Sequence, residues 1–159
     1  MVSVAVASGD VLDRVTDLWV DLARDQRAYG SHLYAEANRV PVRERIAYHV
    51  TNDSLLVARD EGVLVGFVTF DVETGPYAQD ATRGVVRNVF VVPGHRDRGV
   101  GSALLAAAEA ELADRGVDVV RLEVLADNDA AMRFYRRAGY EPHRIEMEKS
   151  VESDNHSKE

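Results

Sequence analysis

Apolar residues along the chain follow two different periods, and the changes of period predict the order of strands and helices. Residues 2–7 alternate valine with polar or small residues, which is typical of a half-buried first strand. From about Val11 to Arg27 the apolar residues recur at helical spacing, and aspartates occupy much of the opposite face. A short second helix is predicted over roughly 41–50, with proline in its first turn.

The middle of the chain has the pattern of strands. Residues 54–59 and 63–72 are rich in apolar side chains, and Asp60-Glu61-Gly62 between them predicts a hairpin. Residues 85–92 form another apolar run, which the Pro93-Gly94 pair ends because proline cannot donate to a sheet. We expect this run to be the central strand of a sheet.

The last third of the chain predicts a helix, a strand, a second helix and a last strand. Leucine and alanine at helical spacing predict a long helix that ends near Gly116, and residues 117–125 have the pattern of a buried strand. A short helix follows, which Gly139 closes. Beyond it, Ile145 and Met147 alternate with charged residues, which predicts the last strand.

Length and hydrophobic content predict one domain. A chain of 159 residues with 46% hydrophobic residues is long enough for one well-buried core and too short for two. We therefore expect a single domain over 1–149. Residues 150–159 have almost nothing to bury, so we expect them to form a mobile C-terminal tail.

The composition excludes several kinds of site. Because the chain has no cysteine, disulfides, thiolate metal sites and a cysteine nucleophile are all excluded. The histidines are scattered without the spacing of metal ligands, so we expect no metal. The apolar runs are strand-sized and no leader pattern is present, which predicts a cytoplasmic protein with no membrane partner.

The charge balance bears on the kind of partner. A net charge of −8 and a pI near 5.1 argue against a nucleic-acid partner, because phosphate binding depends on concentrated lysine and arginine. An acidic protein tolerates a cationic acceptor better. We therefore expect no nucleic acid among the partners.

A loop between the central strand and the long helix has the composition of an anion site. Its two glycines let the backbone turn and approach a ligand closely, and no acidic residue lies in the first turn of the helix. Free amides and the helix dipole at such a start favour an anion such as a pyrophosphate, and two arginines add matching charge. The single aspartate has the wrong sign, so we expect it to face solvent or to pair with an arginine. The loop consists of Arg96, Asp97, Arg98, Gly99, Val100, Gly101 and Ser102.

Two other glycine-rich phosphate sites do not match this loop. A Rossmann site needs Gly-x-Gly-x-x-Gly, a phosphate-binding P-loop needs Gly-x4-Gly-Lys-Ser/Thr, and neither pattern is present in the loop. A glycine pair between a strand and a helix is, by itself, more often a plain turn. The wider motif has to decide between these interpretations.

The wider motif resembles the GCN5-related N-acetyltransferase (GNAT) family. The matching residues are the string Val-Val-Pro-x-x-Arg-x-x-Gly-x-Gly over 91–101, Asn128, and Phe-Tyr-x-x-x-Gly-Tyr over 134–140. The resemblance runs from about Val63 to Lys149 and is strongest over 85–140. It implies an α/β (α+β) fold, in which about four helices flank a mixed, mainly antiparallel sheet of six to seven strands.

The resemblance also implies how acetyl-CoA, the cosubstrate of the family, would bind. The backbone of the central strand would pair with the pantetheine arm, and a bulge would splay this strand from the next and free an amide for the thioester carbonyl. The glycine loop would hold the pyrophosphate. Asn128 and Tyr135 would complete the cofactor site, although Asn128 also fits a plain helix cap. The strand residues concerned are Val89, Phe90 and Val91.

Two side chains are candidate catalytic groups. The resemblance places the hydroxyl of Tyr135 near the sulfur of coenzyme A as a general acid, although an aromatic at helical spacing also fits core packing. Leu-Glu-Val around Glu123 resembles the protein N-terminal alanine acetyltransferase branch, in which the matching glutamate is the general base. Glu123 fits an ion pair with Arg121 on the same strand face equally well. The amide of Asn88 cannot act as a base.

The loop after the first helix is rich in polar aromatic side chains. In the family this connection often lines the acceptor side of the cleft, so the resemblance makes Tyr29, His32 and Tyr34 candidate substrate contacts. A surface loop with a packed tyrosine explains them equally well.

The resemblance implies direct transfer of an acetyl group from acetyl-CoA to a primary amine, which is either a small molecule or a peptide N-terminus. The lack of cysteine is compatible with direct transfer. One alternative is a non-catalytic module that binds acyl-CoA and serves a sensory or regulatory role. A module that binds another nucleotide at the glycine loop is a further alternative. Members of the family often form homodimers, so the resemblance makes a homodimer a candidate assembly for this chain.

Overall fold

The structure is a computed structural model of the chain, and it describes residues 1–152. Its strands are β1 (Val2–Val6), β2 (Leu55–Asp60), β3 (Val63–Val72), β4 (Arg83–Val91) and β5 (Val119–Leu122). Its helices are α1 (Leu12–Arg27), α2 (Arg39–Thr51), α3 (Val100–Asp114) and α4 (Asp129–Arg137). Short 3-10 turns lie over Gly9–Val11, Glu36–Asn38 and Pro93–His95. The order of helices follows the prediction from apolar spacing.

The strands form one sheet in the order β1-β2-β3-β4-β5. The first four pair antiparallel, and β5 pairs parallel to β4 because α3 carries the chain back across the sheet between them. The predicted fold class, an α+β domain with a mixed and mainly antiparallel sheet, is therefore confirmed. The sheet of residues 1–152 has five strands rather than the expected six to seven.

The missing strand is the one predicted around Ile145 and Met147. Residues 141–152 contain no strand, and the two apolar side chains are 80% and 88% exposed. Alternation of polar and apolar residues supplies a face to bury, but a strand also needs a neighbour for its backbone hydrogen bonds. This segment has no such neighbour within the described chain. The tail predicted over 150–159 lies outside the described residues from Ser153 onward.

Two hydrophobic clusters hold the helices to the two faces of the sheet. The helix α3 covers one face and α1 with α2 covers the other, as the helical spacing predicts. Full burial of one such aliphatic side chain stabilises the folded state by about 1.5–3 kcal/mol. Packing of helices on both faces of the sheet is therefore a main source of stability. Within residues 1–152, no helix combines the length and the apolarity needed to cross a membrane. The buried residues of α3 are Leu104, Leu105, Ala108 and Leu112, and those of α1 and α2 include Val15, Leu18 and Ile46.

Two glycines in the sheet let α3 lie close to the strands. A Cβ atom on Gly84 would stand 2.8 Å from Cδ2 of Leu112. A Cβ atom on Gly66 would stand 2.7 Å from the carbonyl oxygen of Phe90 and 3.1 Å from Cδ1 of Leu104. A larger residue at Gly84 would push α3 away from the sheet, and one at Gly66 would also push β3 and β4 apart, so the two glycines help to position α3.

Candidate cofactor and active site

A cleft opens where β4 and β5 part. β4 pairs with β3 as far as Val91, but it pairs with β5 only from Arg83 to Val86. The backbone of residues 87–91 therefore has no strand partner on the β5 side. An extended ligand that needs hydrogen bonds along a strand fits this edge.

A bulge in β4 lies where the two strands part, as the resemblance to the family implies. Thr69 pairs with Asn88 and the next residue of β3 pairs with Val86, so Arg87 is the extra residue of β4. Thr69 Oγ1 donates a hydrogen bond of 2.9 Å to Asn88 Oδ1, which fixes the strand just beyond the bulge. The predicted cofactor residues of β4 keep their side chains in the core. Val89 and Val91 pack against the α3 cluster, and Phe90 is buried in the other cluster.

The start of α3 presents unpaired backbone amides next to this edge. Gly99 caps the helix with a φ of 82°, a left-handed conformation that favours glycine. The first turn contains no acidic residue. Within residues 1–152, the amides of residues 99–102 have no hydrogen-bond acceptor. The geometry therefore suits an anion such as a pyrophosphate, and no observation on the described residues conflicts with one.

The charged residues of the loop have different surroundings. Arg96 Nε donates a hydrogen bond of 2.8 Å to the carbonyl of Val91, and its Nη2 lies 3.6 Å from a carboxylate oxygen of Asp25. This arginine therefore ties the loop to β4 and α1. Asp97 is exposed, has a φ of 61°, and forms no ion pair in the part of the chain that the structure describes. The aspartate faces solvent, which is one of the two arrangements expected for it, and Arg98 beside it is also exposed.

The helix α4 forms the opposite wall. Asn128 Oδ1 accepts a hydrogen bond of 3.1 Å from the amide of Ala131, so it caps this helix, and its predicted contact with a cofactor stays a prediction. A Cβ atom on Gly101 would lie 3.3 Å from Cζ of Phe134, so α3 and α4 touch at this glycine. A groove of about 310 Å³ runs between the two helices. It is lined by Ser102, Leu105, Ala106, Glu109, Phe134, Arg137 and Ala138.

Tyr135 packs against the α3 cluster on the inner side of α4. Its ring centroid lies 5.1 Å from that of Phe134 and 6.0 Å from that of Tyr140. Burial raises the pKa of the Tyr135 phenol above its ordinary value, so the hydroxyl keeps its proton at neutral pH. That is the state a general acid needs. Within residues 1–152 this hydroxyl makes no hydrogen bond, although the ring is packed.

Glu123 follows the last residue of β5, where the two strands have separated. Its side chain is 89% exposed, and one carboxylate oxygen lies 3.6 Å from Nη1 of Arg121. Arg121 also donates through Nε to Glu73 at 2.5 Å, and Glu73 accepts a second bond of 3.0 Å from Arg83. Both interpretations of Glu123, base and ion-pair partner, are compatible with this position.

The Glu73 cluster, formed by Glu73, Arg83 and Arg121, was not predicted. The hydrogen bond from Arg121, followed by that from Arg83, lowers the pKa of the Glu73 carboxyl, although partial burial opposes this. The sequence places Glu73 at the start of a long polar loop, where exposure is the usual expectation. Its partners lie on two other strands, so only the pairing of β3, β4 and β5 could bring them together.

The predicted acceptor residues lie in the loop between α1 and α2. His32 Nε2 lies 2.9 Å from Glu148 Oε1 in the C-terminal segment, a contact that the sequence does not suggest. Tyr34 is 67% exposed, and the guanidinium of Arg27 lies 5.1 Å from the centre of its ring. Tyr29 is also exposed. Their role in binding an acceptor stays a prediction.

The comparison with protein families decides how this arrangement is interpreted. The model of the acetyltransferase (GNAT) family matches residues 12–140, which is most of the chain. The chain belongs to the GNAT family. The predicted resemblance is thereby confirmed, and it extends over the first two helices, which matched only in the order of elements.

Individual GNAT relatives agree with this assignment. A mycothiol acetyltransferase from Clavibacter sepedonicus is 38% identical over 135 residues, which cover 83% of this chain and 41% of that protein. The chain thus spans less than half the length of the curated relatives it matches. A GCN5-related N-acetyltransferase from Ralstonia eutropha has a TM-score of 0.76 and 27% identity, covering 95% of this chain and 99% of that one.

A more distant solved N-acetyltransferase matches the fold alone. PaiA N-acetyltransferase from Thermoplasma acidophilum, solved in complex with coenzyme A, has a TM-score of 0.77 at 16% identity and covers 92% of this chain and 93% of that one. The five-stranded sheet with a parted β4–β5 pair is therefore a GNAT sheet, and the cleft described above is its candidate active site.

Proposed function

We propose that this GNAT chain binds acetyl-CoA in the β4–β5 cleft and transfers the acetyl group directly to a primary amine. The proposal rests on two sets of unpaired backbone groups that lie next to each other. Residues 87–91 of β4 have no partner on the β5 side, and the amides of residues 99–102 at the start of α3 have no acceptor within the described chain. One edge suits an extended amide-containing arm and the other a pyrophosphate.

Each part of acetyl-CoA has candidate partners among the chain's residues. The amides of residues 99–102 would bind the pyrophosphate, and the exposed Arg98 would add positive charge beside it. The free edge of β4 would bind the pantetheine arm. The α3–α4 groove, which begins at Ser102, is continuous with the glycine loop and offers space for the rest of the nucleotide. The coenzyme A bound to the PaiA relative supports this assignment.

Tyr135 and Glu123 would supply the proton transfers. When bound, acetyl-CoA supplies a thioester that an amine can attack. A protonated phenol, which burial of Tyr135 maintains, can give a proton to the departing thiolate. The carboxylate of Glu123 stands in solvent at the end of β5, where it can take a proton from the incoming ammonium or amine. The amide nitrogens of β4 near the bulge can stabilise the oxyanion that develops.

The acceptor is a primary amine, and a small molecule is the better supported kind. The relative named as a mycothiol acetyltransferase supports it, although that protein is more than twice as long as the matching region. A net charge of −8 favours the approach of a cationic amine. A peptide N-terminus is the second kind of acceptor, for which the Leu-Glu-Val sequence around Glu123 is the support.

Calorimetric titration with acetyl-CoA, followed by a thiol-release assay over a panel of small amines and peptide N-termini, tests the proposal. We expect binding at about one site per chain and turnover with at least one class of amine. The variant Gly101→Val should weaken binding, because its side chain would meet Phe134 and crowd the amides at the start of α3. Gly75→Val is the matched control, since a Cβ atom there meets nothing within 4 Å.

The other outcomes separate the alternatives. Binding without turnover on the whole panel would favour a non-catalytic acyl-CoA-binding module. Competition by ATP or NAD as strong as that by coenzyme A would favour a nucleotide-binding module. The absence of acetyl-CoA binding would overturn the interpretation of the glycine loop, and with it the proposed function.

A further inference from the structure

The side chain of Asn88 lies just beyond the bulge of β4, at the level where β4 and β5 have parted. Asn88 pairs with Thr69 of β3, and Phe90, two residues further along, belongs to the cluster of α1 and α2. Because side chains alternate along a strand, Asn88 lies on the face of the sheet that α1 and α2 cover, opposite α3. A half-buried polar side chain beside an open cleft is in a position to meet a ligand.

The contact with Thr69 decides which end of the Asn88 amide is free. Thr69 is 0% exposed, so the proton of its hydroxyl needs an acceptor within the protein. Within residues 1–152 that acceptor is Oδ1 of Asn88, at 2.9 Å. The oxygen of the amide is therefore turned toward Thr69, and the NH2 group points away from it.

The NH2 group of Asn88 is a donor without an acceptor. Nδ2 makes no hydrogen bond to the described part of the chain, where the enclosed side-chain atoms that lack a partner are Arg83 Nε and His95 Nδ1. The amide nitrogen of Asn88 is therefore open to solvent. Because such a nitrogen donates and cannot accept, this position offers a hydrogen bond to an oxygen of a bound molecule.

Glu123 stands on the other side of the cleft and on the same face of the sheet. Leu122 of β5 packs against the α3 cluster, whereas Arg121 lies on the opposite face, 3.6 Å from the carboxylate of Glu123. The last residue pair between β4 and β5 is Val86 with Leu122, so residue 123 follows at the level of the bulge. A hydrogen-bond acceptor, Glu123, and a donor, Asn88, therefore flank the cleft on one face.

The amine has to enter the cleft from this face. The groove that offers space for the nucleotide runs between α3 and α4, and α3 packs on the other face of the sheet. An acceptor molecule on the side of α1 and α2 would place its amine toward the carboxylate of Glu123, as the proposed function requires. An oxygen near that amine would then lie toward Nδ2 of Asn88.

We infer that Asn88 selects acceptors in which an oxygen stands beside the primary amine. Its Nδ2 donates a hydrogen bond to that oxygen, which is a hydroxyl in an amino alcohol and a carbonyl in an α-amino amide. Thr69 is the positioning residue, because its hydroxyl holds the amide with the donor free. The inference rests on the proposed function and narrows its class of acceptor. Plain alkyl amines are disfavoured, since they leave the donor unpaired.

Three amines of similar shape test this selection in the thiol-release assay. Isobutylamine is the reference, 1-amino-2-propanol has a hydroxyl in place of one methyl group, and glycinamide has a carboxamide in place of the isopropyl group. Asn88→Leu should lower kcat/KM for at least one oxygen-bearing amine, relative to isobutylamine, by about tenfold. Asn88→Asp keeps the bond from Thr69 but loses the donor, so the ratio should fall at least as far. Comparison with the wild-type ratio removes the intrinsic reactivity of each amine.

Thr69 provides a second test of the same selection. Thr69→Val removes the hydroxyl at nearly constant shape, so the Asn88 amide can rotate and the ratio should fall by about two- to tenfold. Thr69→Ser keeps the hydroxyl and should keep the wild-type ratio. Thr16→Val is the matched control, because Thr16 is 2% exposed and its hydroxyl bonds within α1. Circular dichroism checks that all variants are folded.

Three results would overturn the inference. One is a ratio that both Asn88 variants leave unchanged. Another is an equal fall in kcat/KM for all three amines, which would place the NH2 group on the thioester carbonyl instead of the acceptor. The last is turnover of other amines in the panel but of neither oxygen-bearing amine.

The proposed function is decided by separate measurements. Calorimetry with acetyl-CoA and turnover over the whole panel can both succeed while the ratio stays unchanged, in which case only the role of Asn88 is wrong. Binding without turnover of any amine would remove the proposed function, and the role of Asn88 with it.

Discussion

The hydroxyl of Tyr140 donates a hydrogen bond of 2.6 Å to Oε2 of Glu109, and this bond joins the end of α4 to the middle of α3. Burial, followed by this bond, raises the pKa of the Tyr140 phenol, which therefore stays protonated and remains a donor. The two helices are also the walls of the groove beside the glycine loop. A single side-chain contact thus helps to set the width of the candidate cofactor site.

Tyr140→Phe should destabilise the protein without changing its fold. Loss of a hydrogen bond to a charged, half-buried acceptor costs about 1–2 kcal/mol. For a chain of this size, that corresponds to a melting temperature lower by about 2–8 °C. Thermal unfolding followed by circular dichroism measures the change. Tyr48→Phe, at a tyrosine that is 43% exposed on α2, is the control, and an equal loss in both variants would argue against the bond.

The buried His49 should make stability depend on pH. Its side chain is 2% exposed, and Nδ1 lies 2.8 Å from Oγ of Ser54. Burial lowers the pKa of His49 from 6.5 to about 4, and the Asp71 carboxylate 3.9 Å away offsets only part of this. The folded state therefore resists protonation in a range where the unfolded chain accepts a proton. The contribution of His49 to the free energy of unfolding is fully present above pH 6.5 and is lost as the pH falls toward 4.

Urea unfolding at pH 7.5 and 4.5 checks this expectation. Between pH 7.5 and 4.5, His49 should lower the free energy of unfolding by about 2–3 kcal/mol. This loss adds to the one that protonation of the carboxyl groups causes. His49→Gln should reduce the difference by that amount. The exposed His143→Gln should not, and equal pH dependence in the wild type and both variants would contradict the assignment.

Tyr135→Phe should separate catalysis from binding. The variant keeps the packed ring but loses the proton that the proposed mechanism uses, so kcat should fall by roughly 10²–10⁴-fold. The dissociation constant of acetyl-CoA should change by less than about twofold, or 0.4 kcal/mol. Because burial raises the pKa of this phenol, the wild type should lose no activity through Tyr135 below the ordinary value of 10.0. The thiol-release assay over pH, with calorimetry, measures both quantities.

Tyr77→Phe serves as the control for this experiment. That tyrosine is 83% exposed in the loop before β4, so its hydroxyl should contribute nothing to the rate. Unchanged turnover in Tyr135→Phe would remove the phenol from the mechanism and leave it as a packing residue.

Glu123→Gln should decide between the two interpretations of this carboxylate. If Glu123 takes the proton from the amine, we expect kcat to fall by about 10²-fold and the acidic limb of the pH–rate profile to disappear. Arg121→Gln should then have a small effect, because the proposed mechanism gives the arginine no proton to transfer. Steady-state kinetics of both variants over pH provides the comparison. Equal losses in the two variants would instead make their 3.6 Å ion pair the important feature.

Much of the fold could be predicted from the sequence because it depends on local patterns. Helical spacing identified α1 and α3, and alternating or continuous apolar runs identified β1 to β4. The glycine loop was recognisable because its chemistry lies in consecutive residues and in the helix that follows. The GNAT motif supplied the expected bulge and the role of α4, neither of which follows from composition.

The tertiary structure decided what depends on pairing between distant residues. The Glu73 cluster needs three strands in register, and the bond of Tyr140 to Glu109 needs two packed helices. The predicted length of β5 and the predicted last strand were both wrong, for the same reason. An apolar pattern shows that a face must be buried, but only a neighbouring backbone can supply the hydrogen bonds that make it a strand. The sequence by itself therefore determined the family, the order of the elements up to α4 and the position of the glycine loop, while the tertiary structure decided which edges of the sheet stay open.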